Sequence, residues 1–282
     1  MAEAAAIAGL VLDYRDAART ERCVRNLRAR GVGPILVWDN SADGGDSLRA
    51  LRAGLQGFAD VAFEGAGENL GFAAGVNRGL AWIASRWPGR PVLLLNNDAL
   101  LLEGAVDALA RALRESPGAW FAYPNIDHGG RVLGTVHYQR LTGLLAARAI
   151  PGSFAYASGC CLLVDPRRCG TGLFDESFFM YGEDMELGHR LAGIPDAMRH
   201  VDRLLVLHEG SASSGMASAF YETWMVAGHF RLASKMARGR LDLATLLAAR
   251  WGVLALRALV RSVRYRSWVP IASLAKGWRL SR

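Results

Sequence analysis

The chain has 282 residues, 51% of them hydrophobic and 21% charged, with four cysteines and a net charge of +7. That composition excludes a disordered chain, and the length allows one large domain with an appendage or two small ones. Cys23, Cys160, Cys161 and Cys169 have neither the paired spacing of a zinc site nor the density of a disulfide scaffold, so buried, reduced thiols in a cytoplasmic protein are expected.

The opening Met1-Ala2-Glu3-Ala4-Ala5-Ala6 lacks the basic region and long apolar stretch of an export signal, and none is expected. Residues 7–12, 34–38, 61–63 and 92–95 are short, nearly continuous apolar runs, the pattern of parallel strands covered on both faces. Helical patterns alternate with them. One covers 16–30, capped by Asp16 and stopped at Gly31; another covers 73–87, stopped at Pro88; a third covers 104–115, ahead of Pro117. Such alternation predicts an α/β sheet with right-handed crossovers. Further on, short strands are expected at 131–138, 160–164 and 204–207, with turns at Gly129-Gly130 and Gly170-Thr171-Gly172 and a helix beginning near Glu183. A composition shift at 211–215 divides a domain over 1–215 from a helical tail over 216–282.

Ligands of open α/β sheets bind at the carboxyl ends of the strands. Asp13, Asp39 and Asp98 each fall just past such an end, which makes one rim of three scattered carboxylates. In Asp39-Asn40-Ser41 the acid could accept from the N3–H of a uracil or thymine ring, although all three residue types also stabilise turns. Gly71, Gly75 and Gly79 share a helix face and permit close packing on the sheet. Packing does not account for Asn69, Asn77 and Arg78, which are costly to bury without partners; polar groups at a helix N-terminus suit a nucleotide or diphosphate. The segment is neither a Walker A loop nor a dinucleotide fingerprint.

Asn96-Asn97-Asp98 is the candidate metal element, since Mg²⁺ and Mn²⁺ favour a carboxylate or two plus phosphate oxygens. His208, after an apolar run, could complete that shell or act as a structural hydrogen-bonder. His128, His137, His189, His200 and His229 show no metal-ligand spacing. Ser158-Gly159 could admit a sugar close to the backbone or simply form a turn. In Phe178-Phe179-Met180-Tyr181-Gly182-Glu183-Asp184-Met185-Glu186, adjacent acids beside an apolar wall make a candidate general base. Glu186 and Arg190 fit an ordinary i,i+4 helix pair.

Taken in order, Val37-Trp38-Asp39-Asn40-Ser41, Asn69-Leu70-Gly71-Phe72 through Asn77-Arg78-Gly79, Leu95-Asn96-Asn97-Asp98, and Phe174-Asp175-Glu176 through Tyr181-Gly182-Glu183-Asp184 resemble family 2 glycosyltransferases of the GT-A fold. The nearest likeness is to the bacterial rhamnosyltransferase-like branch, over roughly residues 6–212. The resemblance implies a Rossmann-like, mostly parallel sheet flanked by helices, with the helical tail added. It implies that Asp39 contacts the base and that Asp98 ends the "D-x-D" metal element, holding Mg²⁺ or Mn²⁺ with His208 nearby. It further implies that Asp184, beside Glu183, is the general base, and that Asp13, Asn69, Gly71, Asn77, Arg78 and Asn97 line the nucleotide-sugar site. The reaction implied is inverting transfer from a nucleoside-diphosphate sugar to a glycan or lipid-linked acceptor in bacterial surface polysaccharide synthesis. dTDP-rhamnose is the donor the branch favours, with UDP-sugars open. Two departures stand out: Leu12-Asp13-Tyr14-Arg15 replaces the usual Tyr-Asn pair, and Asn96 replaces the first Asp of the metal element. The rival readings are a sugar nucleotidyltransferase, which needs a glycine- and cation-rich loop absent after the first strand, and a catalytically silent carbohydrate-binding protein.

From Phe230 onward 12 Lys or Arg accompany the single acid Asp242, so the basic character belongs to the tail. A basic patch can mark nucleic-acid binding, but a tail this apolar argues against it. Arg250, Arg257, Arg261 and Arg264 share one helix face, which suits an anionic membrane surface on the inner side of a bacterial plasma membrane. Packing on the catalytic domain or on a second subunit in a homodimer is the alternative. No uncharged run of ~20 residues occurs, so a spanning helix is not expected.

Overall fold

A computed structural model describes residues 6–170, 172–209 and 218–282. In chain order these form β1 (Ala8–Asp13), α1 (Ala17–Ala29), β2 (Ile35–Asp39), α2 (Asp46–Gly54), β3 (Val61–Gly65), α3 (Gly71–Arg86), β4 (Val92–Leu95), β5 (Ala99–Leu101), α4 (Ala105–Arg114), β6 (Phe121–His128) and β7 (Val132–Leu133). They continue with β8 (Val136–Gln139), β9 (Leu145–Ala146), β10 (Ser153–Tyr156), β11 (Cys161–Val164), α5 (Pro166–Cys169), α6 (Glu183–Leu191), β12 (Met198–His208), α7 (Ala219–Met236), α8 (Arg240–Tyr265) and α9 (Val269–Leu280). Two compact units result. The first is drawn from within Met1–Thr135, Ala157–Phe174 and Gly193–Gly210, the second from within Val136–Tyr156, Asp175–Ala192 and Ser211–Arg282. Compactness thus groups residues 136–156 and 175–192 with the tail, and the expected boundary at 215 lies outside the described residues.

The first unit is an α/β sheet in the order β3-β2-β1-β4-β11-β6-β12-β5, with β7 beside β6. Strands β3, β2, β1 and β4 are parallel. Their side chains are almost wholly buried in β1, β2 and β4, which is why those strands read as unbroken apolar runs. Beyond them the sheet is mixed: β11 runs antiparallel to both β4 and β6, and β12 runs parallel to β6 but antiparallel to β5. The core joins sheet residues such as Val11, Val37, Leu95 and Leu163 to Val24 and Leu27 of α1 and Leu109 of α4. Cys23, Cys160 and Cys161 are buried free thiols, and burial pushes all three up in pKa.

Some elements depart from expectation. The single strand expected over 131–138 is two strands, β7 and β8, assigned to different units. They part at Gly134, where a Cβ would lie 2.0 Å from Asn125 Oδ1 and 2.5 Å from His200 Nε2. Strand β12 starts at Met198, six residues before the apolar run that announced it.

The second unit holds the three-stranded sheet β10-β8-β9 and helices α6 to α9. Tyr138, Tyr156, Phe178, Met185, Leu232 and Leu246 form one cluster, and Val226, Phe230 and Leu254 another. Here the structure corrects the reading of the tail. Arg250, Arg257 and Arg261 do share a face of α8, but the face is turned inward. Arg250 is fully buried, donating to the carbonyls of Leu141 at 2.6 Å and Arg140 at 2.7 Å and lying over the Tyr138 ring. Arg257 and Arg261 bracket the fully buried Glu222 of α7, at 2.6 and 2.5 Å. A buried carboxylate without cations would be strongly unfavourable, so Glu222 dictates which side of α8 faces in. By length and composition α8 is apolar enough to cross a membrane, yet its arginines bind it to its own unit.

Candidate functional site

At the carboxyl ends of β1 and β2 the register sets Asp13 beside Asp39. Asp13 is fully buried, accepting from the Thr20 hydroxyl of α1 and from Ser41 Oγ at 3.1 Å. Burial raises its pKa, the two hydroxyls act against that, and the charge of Asp39 adds to the rise. With no exposed surface, the Asp13 side chain braces β1, α1 and the turn after β2. Asp39 closes that turn, its Oδ1 accepting from the Ser41 N–H at 2.8 Å, while 8% of the residue remains exposed. Both readings of Asp39-Asn40-Ser41 are therefore compatible with one carboxylate, since one oxygen forms the turn. Arg15, part of the departure at Leu12-Asp13-Tyr14-Arg15, donates from Nε to the Ser41 carbonyl at 2.9 Å and stands exposed beside the turn.

The start of α3 is tied to the same rim. Asn69 Oδ1 accepts from the Gly71 N–H at 2.9 Å, and Asn40 Nδ2 donates to the Gly71 carbonyl at 2.8 Å. Close packing explains the glycine spacing: a Cβ on Gly75 would lie 2.8 Å from Asn40 Nδ2, and one on Gly79 2.5 Å from Leu10 Cδ1. The Asn77 amide donates to the Phe174 carbonyl at 2.8 Å and accepts from the Phe174 N–H at 3.1 Å, so partners within the fold compensate its burial. Arg78 points out and is exposed.

Past β4, Asn97 Nδ2 donates to Thr20 Oγ1 at 3.0 Å, joining the third strand end to the Thr20–Asp13–Ser41 run. Asp98, 8% exposed, lies 2.9 Å from His208 Nε2 at the end of β12. Burial pushes the Asp98 pKa up, but the hydrogen bond and charge of His208 outweigh it and hold the carboxyl below its ordinary value. His208 Nδ1 in turn meets His128 Nδ1 at 2.9 Å. His128, which the sequence reading passed over, is paired with His208 by the parallel register of β6 and β12; a partner 80 residues away leaves no spacing signal. Burial and then the His208 charge lower the His128 pKa. Among the described residues no group of three or more His, Cys, Asp or Glu is placed to hold a metal ion. An anionic oxygen and an imidazole nitrogen within 2.9 Å nevertheless suit two positions of a divalent shell that phosphate oxygens complete.

The acid pair belongs to the second unit. Tyr181 and Gly182 both have left-handed backbone (φ 63° and 109°), turning the chain into α6. Gly182 is required there, because a Cβ would also meet the Phe178 ring at 2.9 Å. Glu183 is 7% exposed and its Oε2 is buried without a hydrogen-bond partner; burial, and then the Asp184 charge, push its pKa well up. Asp184 is half-buried and accepts from the Met185 N–H at 2.8 Å. Its charge also raises the pKa of the buried Tyr156 hydroxyl, after the larger effect of burial. Glu186 and Arg190 form the expected helix pair at 3.1 Å. Ser158 Oγ accepts from the Cys160 N–H at 3.3 Å, as a turn residue does.

No protein-family model matches the chain. It is 28% identical over 237 residues to N-acetylglucosaminyl-diphospho-decaprenol L-rhamnosyltransferase of Mycobacterium tuberculosis, an alignment covering 73% of this chain and 76% of the relative. Among solved structures it is similar to GalNAc-T7 with UDP, GalNAc and Mn²⁺ (TM-score 0.63, 12% identity), over 83% of this chain and 48% of that one, so the chain spans about half that structure. It is also similar to S. aureus TarS 1-349 in complex with UDP-GlcNAc (TM-score 0.60, 13% identity), over 98% and 82% respectively.

Proposed function

We infer, from a chain that has the GT-A fold and whose sequence and structural relatives are glycosyltransferases, that this protein transfers a sugar from a nucleoside-diphosphate donor to a hydroxyl of a lipid-linked glycan in bacterial cell-wall synthesis. The observation that carries the reading is the Asp98–His208 pair at the carboxyl edge of the sheet, in the same unit as the Asp39 turn. The M. tuberculosis relative, by its name, acts on a decaprenol-linked acceptor and transfers L-rhamnose. On that basis the favoured donor is dTDP-rhamnose, with UDP-sugars second because TarS was crystallised with UDP-GlcNAc.

The roles follow from placement. Asp39 keeps an oxygen for the imide N–H of a thymine or uracil, and Arg78 and Arg15 supply exposed cations for a diphosphate. Asp98 and His208 would hold Mg²⁺ or Mn²⁺, which when bound neutralises charge gathering on the departing diphosphate. Asp184 takes the proton from the acceptor hydroxyl. The acceptor oxygen forms its bond to the anomeric carbon as the carbon–oxygen bond to the diphosphate breaks, and that bond's electron pair leaves with the diphosphate. A single displacement inverts the anomeric centre. Glu183, favoured in its neutral form by burial, spares Asp184 a second negative charge beside it.

The reading gives Asp184 the part of the base. It is tested by incubating the full chain with dTDP-rhamnose, UDP-GlcNAc and UDP-galactofuranose, a polyprenyl-diphosphate N-acetylglucosamine acceptor, and Mg²⁺ or Mn²⁺. Acceptor-dependent diphosphate release with a product of inverted configuration is expected. Release of inorganic diphosphate from a nucleoside triphosphate and a sugar phosphate would favour the nucleotidyltransferase instead, and no turnover with any donor would favour the silent carbohydrate-binding protein.

A further inference from the structure

With its arginines directed inward, α8 presents the opposite face to its surroundings, and that face is apolar. Leu256 is 63% exposed, Leu259 55%, Val260 58% and Val263 81%, a spacing of 3, 4 and 7 that keeps them on one stripe. Ala244, Thr245, Ala248, Trp251 and Gly252 extend the exposed surface toward the helix start without a charge. Exposed charges stand only at its ends: Arg238 and Arg240 at one, Arg264 and Arg266 at the other. Trp268, 79% exposed, follows at the junction with α9.

We propose that this outer face of α8 lies along an anionic lipid bilayer, with Leu256, Leu259, Val260 and Val263 inserted at the boundary of the acyl region and the terminal arginines on the headgroups. Charge decides between lipid and a second copy of the chain. No acidic residue occurs after Asp242, and Asp242 is bound by Arg140 at 3.0 Å. Two copies joined through this stripe, in either direction, would bring arginine ends against arginine ends without a counter-charge. An anionic headgroup layer supplies that counter-charge at both ends of the helix, which are about 36 Å apart along its axis. An indole at the edge of an apolar stripe also suits the interface between headgroup and chain. The helix lies flat rather than spanning, because Arg250, Arg257 and Arg261 are held to Leu141, Arg140 and Glu222 of its own unit. The face that meets lipid is therefore the reverse of the arginine face expected from the sequence.

The test is flotation of the full chain on a sucrose gradient with vesicles of phosphatidylcholine alone or mixed with phosphatidylglycerol. No substrate is needed, so its outcome is independent of the sugar-transfer reading. The protein is expected to float with the mixed vesicles and to be released by high salt. Leu259→Glu with Val263→Glu should abolish flotation, with circular dichroism and melting temperature confirming that the variant is folded. Arg264→Gln with Arg266→Gln, both exposed, should weaken binding about fivefold per charge removed. Sedimentation of the unaltered chain away from the mixed vesicles would overturn the proposal. So would undiminished flotation of either double variant, or a dimer by light scattering that the glutamate variant splits.

Discussion

Nε2 of His208 lies 2.9 Å from Oδ1 of Asp98, bringing the last residue of β12 to the residue that follows the Asn96-Asn97 step after β4. The other ring nitrogen of His208 is engaged by His128, so the imidazole is oriented from behind as metal-ligating histidines commonly are. Asp98→Asn or His208→Ala is expected to reduce transfer by at least about 100-fold. His128→Ala should leave the rate at saturating Mn²⁺ nearly unchanged but raise the Mn²⁺ concentration for half-maximal activity by about 10- to 100-fold. Diphosphate release measured against Mn²⁺ concentration separates the two effects.

Asp184→Asn should preserve nucleotide binding, followed by calorimetry, and lose transfer. Near-normal turnover would remove Asp184 from the role of base.

Glu183→Gln tests the buried neighbour differently. The folded chain raises the Glu183 pKa above its ordinary 4.5, so folded protein binds this proton more tightly than unfolded protein does. Its stabilising effect is full below pH 4.5 and is lost as pH rises toward the raised folded value. Glutamine keeps the shape without the proton. Melting temperatures should therefore converge in acid, and the glutamine variant should gain on the wild type as pH increases. Parallel curves from pH 4 to 9 would contradict that assignment.

Gly228→Ala probes the support of the acid turn from α7. A Cβ there would lie 2.2 Å from the Tyr181 carbonyl oxygen, and backbone cannot yield as a flexible side chain does. A loss of about 1–3 kcal/mol in stability is expected, with a fall in kcat exceeding the change in donor KM, because Tyr181 precedes Gly182 and the acids directly. Urea melts and steady-state kinetics on the same preparation check both.

Glu222→Ala removes the carboxylate that Arg257 and Arg261 bracket. Two cations would then face each other with their side chains 25% and 17% exposed, and about 3 kcal/mol of stability should be lost. Glu222→Ala combined with Arg257→Leu and Arg261→Leu should recover much of it, since an apolar replacement of a buried ion group is often tolerated.

The parallel half of the sheet was legible because strands covered on both faces must be apolar throughout, as β1, β2 and β4 are. Strand β6 was not, because Pro124, Asn125 and Asp127 interrupt its apolar pattern while its pairing with β12 and β11 settles its conformation. Short α2, with only Ser47 and Leu51 buried, offers too weak a stripe to read. Helical spacing correctly grouped Arg250, Arg257 and Arg261, but the side they face depends on Glu222 and on carbonyls at 140 and 141, contacts no local pattern contains. Asp13 and Asp39 were recognisable as strand-end acids. Which of them stays accessible depended on Thr20 and Ser41, hydroxyls that any turn or helix can carry.

The run from Asn97 through Thr20, Asp13 and Ser41 to Arg15 stitches together the ends of three neighbouring strands. Such a seam leaves little slack at the mouth of the sheet, so a donor bound there as proposed would meet side chains already set. Association there should freeze few additional side chains, and its entropy cost should come mainly from the donor itself.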